Sequence, residues 1–104
     1  MIKAIVVGCM DYRFQKDLAN LILNKGFQYG EYDLVLVEGG AGNFEQLEIH
    51  LKIAKTLHNP GQIVLTIHED CSYKSRINDF HRAIQICRDI FGTTVKVSTH
   101  FLAL

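Results

Sequence analysis

The stretch Asp33-Leu34-Val35-Leu36-Val37-Glu38-Gly39-Gly40-Ala41-Gly42-Asn43-Phe44 decides how this chain is built. A short run of apolar and β-branched residues, a glycine-rich turn and a good N-cap residue read as a strand, a tight turn and the start of a helix. Beyond Phe44, the apolar positions Leu47, Leu51 and Ala54 recur at helical spacing until Pro60 and Gly61 end the pattern. The same alternation continues on both sides. Runs at Ile2–Val7, Gln62–Ile67 and Thr94–Phe101 are predicted strands, and Phe14–Asn24 and Phe80–Phe91 are predicted helices stopped by Gly26 and Gly92.

Strands alternating with helices imply a parallel sheet joined by crossovers. The first three runs are apolar almost throughout, as strands covered on both faces should be. The fourth alternates Val95, Val97 and Thr99 with Lys96, Ser98 and His100, the pattern of an edge strand. Crossovers are right-handed, so placing helices on both faces requires the winding to reverse once. The predicted fold is a three-layer α/β domain with a central four-stranded parallel sheet and helices on both faces. In such sheets ligands collect outside the carboxyl ends of the two strands flanking the reversal, which are the first and third if the order is 2-1-3-4.

Size and charge bound the rest. A chain of 104 residues, 48% of them hydrophobic, suits a single domain spanning residues 1–104. Eleven basic residues balance eleven acidic ones, so no net field favours nucleic acid or an anionic membrane, and neither is an expected partner. Val6-Val7-Gly8-Cys9 resembles a lipoprotein processing site, but only Ala4–Val7 are apolar between Lys3 and Gly8, short of the roughly 7–15 residues a leader needs. No run approaches the roughly 18 apolar residues of a membrane span. Three cysteines are an odd, scattered set that points to a reducing compartment rather than a disulfide scaffold, and a cytoplasmic location is expected.

Reactive residues gather where the topology predicts a ligand. Cys9 follows the first strand, and His68 and Cys71 end the third. Two thiolates and one imidazole suit tetrahedral Zn²⁺ and leave a fourth position for water. Asp11 and Arg13 share the loop after Cys9, a carboxylate and guanidinium able to aim an oxygen at that position. Gly39, Gly40, Ala41, Gly42 and Asn43 turn backbone N–H groups towards an anion, and residues 40–43 are the expected substrate-pocket wall. A thiol-phosphatase loop between Cys9 and Arg13 is disfavoured. Only Met10, Asp11 and Tyr12 separate them, where about five residues are needed to wrap an oxyanion, and Asp11 would repel it. Cys87 falls on the apolar stripe of the third helix and reads as core. His50, His58 and His81 read as surface or capping groups, and His100 as facing solvent or a subunit contact. Tyr12, Phe14 and Tyr73 flank the cluster and read as packing or pocket lining.

These residues resemble a family. Cys9-Met10-Asp11-Tyr12-Arg13 matches the Cys-x-Asp-x-Arg motif of β-class carbonic anhydrases, and His68-Glu69-Asp70-Cys71 matches their His-x-x-Cys. The strand at 33–37 leading into Ala41-Gly42-Asn43 is similar to the strand and Ala-Gly-Asn turn before the family's second helix. The resemblance spans nearly the whole chain. It implies a parallel sheet of order 2-1-3-4 and reversible hydration of carbon dioxide to bicarbonate by metal-bound hydroxide, with Cys9, His68 and Cys71 as zinc ligands and Asp11 with Arg13 as catalytic dyad. It also implies a homodimer with active sites near the interface, and an Asp11 that either accepts a hydrogen bond from the zinc-bound water or occupies the fourth metal position. The chain departs from the family at Gly39 and Gly40, where an Arg-Asn pair is usual, and at Ile67 and Ser72, where glycines are usual. The first strand begins at residue 2, so the family's helical arm is not expected. Hydrolysis of carbonyl sulfide or carbon disulfide, and a non-catalytic zinc protein, remain open alternatives.

Overall fold

Leu51, Ile63, Leu65, Ala83 and Cys87 are wholly shielded from water, and they mark the thicker of two apolar layers on either side of a central sheet. The computed structural model describes residues 2–104. Its elements are β1 (Ala4–Cys9), α1 (Gln15–Asn24), β2 (Tyr32–Val37), α2 (Phe44–Leu57), β3 (Gln62–His68), α3 (Phe80–Phe91) and β4 (Lys96–Leu102). Short 3₁₀ turns precede each helix, at Tyr12–Phe14, Gly40–Gly42 and Ile77–Asp79. All strand pairs are parallel, as the alternation predicts, and the order is β2-β1-β3-β4, the one the resemblance implies.

The sheet's two faces bury different residues because successive side chains point opposite ways. Ile5 and Val7 of β1 join Val35, Ile63, Leu65 and Ile67 under α2 and α3. Ala4 and Val6 face the other way, with Val64, and pack against Leu18 and Ile22 of α1 and against Phe27. Helices therefore cover both faces, two on one side and one on the other. The N-caps follow the sequence: Asn43 accepts from the Gln46 N–H, and Gly26 and Gly92 take the left-handed conformations, φ 82° and 84°, that stop α1 and carry the chain out of α3. Among the described residues no helix is long and apolar enough to cross a membrane.

Three expectations need correction. The first strand runs on to Cys9, two residues beyond the predicted Val7, so Cys9 is the last strand residue and not part of the following loop. β2 is not covered on both faces: Leu34 is 46% and Leu36 41% exposed. The order 2-1-3-4 puts β2 at an edge, and α1, the lone helix on that face, leans over β1 and β3. The fourth strand starts at Lys96 instead of Thr94, and its His100 is only half-exposed, with Nε2 sealed from water and without a partner.

Candidate metal centre

The β1–β3 ladder supplies the crevice. Its register pairs Ile5 with Ile63, Val6 with Val64 and Val7 with Leu65, and stops there. Beyond that point the Thr66 hydroxyl donates to the Val7 carbonyl at 2.8 Å, and the turn after β2 packs into the opening. Gly40 occupies the narrowest part at φ 56°. A Cβ there would lie 2.7 Å from the Thr66 carbonyl oxygen and 3.1 Å from the Cys9 nitrogen, so glycine is required both by conformation and by close approach. Backbone insertion of this kind holds Cys9 at one lip and His68 at the other.

Cys9, His68 and Cys71 meet in the crevice. Each offers one ligand atom, and those atoms all lie within 4.8 Å of one another. Two sulfurs bound at about 2.3 Å to a tetrahedral zinc would be about 3.8 Å apart, so little adjustment is required. Both thiols are half-buried and unpaired in disulfides.

The state of His68 is the most informative detail. The residue is 2% exposed, and its Nδ1 donates to the Glu69 carbonyl oxygen at 2.7 Å. A carbonyl only accepts, so the proton belongs on Nδ1 and the lone pair on Nε2. Nε2 is buried and has no hydrogen-bond partner among the described residues. An orphaned acceptor in that position carries a desolvation penalty unless a donor or a cation reaches it. A metal ion shared with two sulfurs satisfies it, and the Nδ1–carbonyl bond is the orienting contact usual for a ligating histidine. The donor set and its geometry fit zinc.

Asp11 and Arg13 lie beside the cluster. The Asp11 carboxylate caps the turn Tyr12–Phe14, accepting from the Arg13 N–H at 2.9 Å, and accepts again from Arg13 Nε at 3.1 Å and Nη2 at 2.8 Å. Those side-chain hydrogen bonds, followed by the backbone one, hold its pKa down at about 2, while the same contact raises that of Arg13. Asp11 Oδ2 is 3.8 Å from His68 Nε2, beside the cluster, while the group whose ligand atoms all lie together is Cys9, His68 and Cys71.

Two further residues belong to the site. Phe14, read as packing, is 3% exposed and stacks on the His68 imidazole at 4.2 Å between ring centroids. Asp70, given no role from sequence, binds Arg13 from the far side. Its signal was present as a carboxylate lying between two candidate ligands. Of the turn at 40–43, Gly40, Ala41 and Gly42 are buried and Ala41 belongs to the core. Asn43 Oδ1 accepts from the Tyr73 hydroxyl at 3.4 Å, and Tyr73 stacks where a side chain at Gly39 would stand. Cys87 is buried away from this cluster, on α3. His58 instead pairs with Asp33 at 2.7 Å.

No family model matches the chain, and no curated protein matches it. Among solved structures it is similar to a carbonic anhydrase from Glaciozyma antarctica, with a TM-score of 0.58 and 14% identity over 96% of this chain and 75% of that one. At that identity the likeness is one of fold. A domain of this fold brings Cys9, His68 and Cys71 together at the carboxyl ends of β1 and β3, in a group that could hold a metal ion.

Proposed function

We propose that the chain is a zinc enzyme of the β-class carbonic anhydrase type, catalysing reversible hydration of carbon dioxide. The observation that carries this reading is the orphaned His68 Nε2 converging with two cysteine sulfurs, with an ionised carboxylate 3.8 Å away. Bound zinc would supply Lewis acidity, lowering the pKa of a water at its open position. Asp11 stays ionised because of Arg13, so it accepts a hydrogen bond at that position and fixes the direction of a lone pair. Arg13 restrains the carboxylate with a fork of donors. The turn at Gly40–Asn43, with Tyr73 at its rim, forms the substrate wall in this reading.

Two thiolate ligands cancel the formal charge of the ion, so acidification is weaker than in an all-histidine site and activity rises towards alkaline pH. A rate profile flat from acid to neutral pH would contradict this. The functional test is zinc analysis beside stopped-flow hydration for the wild type and Cys71→Ser. Stoichiometric zinc with turnover that the variant loses supports the proposal, and zinc without turnover rejects the enzymatic part. The 3.8 Å spacing of Asp11 Oδ2 from Nε2 also suits a resting state in which Asp11 closes the metal site. If that state is permanent, Asp11→Ala changes stability and nothing else, and the protein is a non-catalytic zinc protein.

The reading extends to a homodimer in a reducing compartment. Leu34 and Leu36 on the free edge of the sheet, with Leu23 at 71% and Tyr29 at 96% exposure, make a continuous apolar strip, and strips of this kind are rarely left in water. A second copy covers it in our reading. Sedimentation of the wild type as a dimer and of Leu34→Lys with Leu36→Lys as a monomer is the expected result.

A further inference from the structure

Arg13 is held from two sides. Towards the cluster, its Nε and Nη2 donate to Asp11. Away from it, Nη1 donates to the Asp70 carboxylate at 3.0 Å and Nη2 to the Asp70 main-chain carbonyl at 2.9 Å. The two acids are unrelated in sequence, Asp70 lying 57 positions from the arginine. Asp70 adopts φ 56°, a left-handed conformation that aspartate tolerates better than most residues, and in it both its carboxylate and its carbonyl reach one guanidinium. It also stands between the candidate ligands His68 and Cys71 on a loop of only two residues.

The Asp70 side chain is 73% exposed, so the ion pair itself contributes little to stability. Its consequence is geometric. Without the Asp70 carboxylate, a single main-chain contact would tie the guanidinium to the other loop, and the Asp11–Arg13 pair would be freer to swing. With it, the loop after β1 is fastened to the loop after β3, the two lips that carry the ligands.

We propose that Asp70 is a positioning residue: it anchors Arg13 to the His68–Cys71 loop, so that Asp11 is aimed at the metal position by a guanidinium that stays fixed whether or not Asp11 touches the ion. The inference rests on the zinc reading above and deepens it, since it makes the dyad a triad of Asp11, Arg13 and Asp70.

Asp70→Gly is the informative variant, because glycine keeps the left-handed backbone and the carbonyl contact while removing the carboxylate. Asp70→Asn restores one acceptor without the charge. The first readout is hydrogen exchange of the Arg13 Nη1 protons, which face the Asp70 carboxylate, by ¹⁵N NMR on the full chain, with and without zinc. Exchange should accelerate by about tenfold in Asp70→Gly, with Asp70→Asn in between. The second is a double-mutant cycle on zinc affinity. Whatever factor Asp11→Asn produces in the wild type should shrink by more than about twofold in the Asp70→Gly background, because the arginine that aims the carboxylate has lost one of its anchors. Unchanged exchange in Asp70→Gly, or strictly additive effects on zinc affinity, would overturn the proposal. A protein that binds no zinc removes the enzymatic reading, while the exchange measurement still decides whether Asp70 anchors Arg13.

Discussion

Phe14 lies nearly face to face with His68, the ring centroids 4.2 Å apart and the planes inclined by 21°. The benzene ring fixes the plane of the imidazole, the Glu69 carbonyl fixes its tautomer, and together they leave one direction for the Nε2 lone pair. Phe14→Ala should cost about 3–5 kcal/mol, as truncation of a buried phenylalanine does, and Phe14→Leu clearly less. Both should weaken zinc binding beyond their effect on the fold. Urea titration of the metal-free protein beside competitive zinc titration separates the two, and an unaltered zinc affinity in Phe14→Leu would show that the stacking does not orient the ligand.

Gly40 is a second point where a small change should have a large result. Gly40→Ala introduces a Cβ 2.7 Å from the Thr66 carbonyl oxygen at a positive φ, and the expected loss is about 2–4 kcal/mol. The backbone that must give way is that of Thr66, two residues before His68, and then that of Cys9, so zinc affinity should fall with it. Thermal unfolding with and without zinc is the measurement. A variant as stable as the wild type would mean the crevice is looser than described.

The three thiols should behave differently. Cys87 is shielded from water, and burial pushes its pKa up to about 12, so it should resist a thiol reagent until the chain unfolds. Cys9 and Cys71 are half-buried and should react in the metal-free protein, with zinc protecting both. Mass spectrometry after brief alkylation reports which sulfurs are modified. Labelling of Cys87 at the rate of the other two would contradict the assignment.

The Asp11–Arg13 pair sets a pH window. The folded carboxyl titrates at about 2, below the roughly 3.9 of an unfolded aspartate. Its stabilising contribution is therefore complete above about pH 3.9 and is lost as pH falls through about 2. An NMR titration of the metal-free protein should follow the Asp11 carboxyl carbon to that low midpoint, and Arg13→Gln should return it to the ordinary range. A normal midpoint in the wild type would dissolve the dyad.

His100 runs the other way. Burial first, and then the nearby Lys25, hold its pKa below the usual histidine value. The unfolded chain takes up the proton at about pH 6.5 while the folded one resists it, so this group destabilises the fold as pH drops below that point. His100→Gln should flatten the fall in stability as pH drops below about 6.5, read by urea unfolding of the metal-free protein, and an unchanged fall would contradict the burial of the imidazole.

Much of this was legible in the chain because its signals are local and periodic. The parallel sheet followed from four apolar runs separated by three helical stripes, its order came with the family resemblance, and Cys9, His68 and Cys71 were adjacent once that order put β1 beside β3. What escaped was decided by tertiary contact. Whether β2 is covered depends on where α1 leans, which the pattern of Leu34 and Leu36 does not reveal. Asp70 has no periodicity, and its value arises only when a guanidinium from a distant loop reaches it. Phe14 reads as packing or pocket lining beside the cluster, and nothing in sequence says which ring it meets.

The central claim is that one zinc ion is shared by two sulfurs and an imidazole. X-ray absorption at the zinc edge, on protein loaded to one metal per chain, tests it most directly. The account predicts two sulfur scatterers at about 2.3 Å and two nitrogen or oxygen scatterers at about 2.0–2.1 Å, with sulfur lost stepwise in Cys9→Ser and Cys71→Ser. Failure to load zinc stoichiometrically, or a zinc shell containing no sulfur, would contradict it.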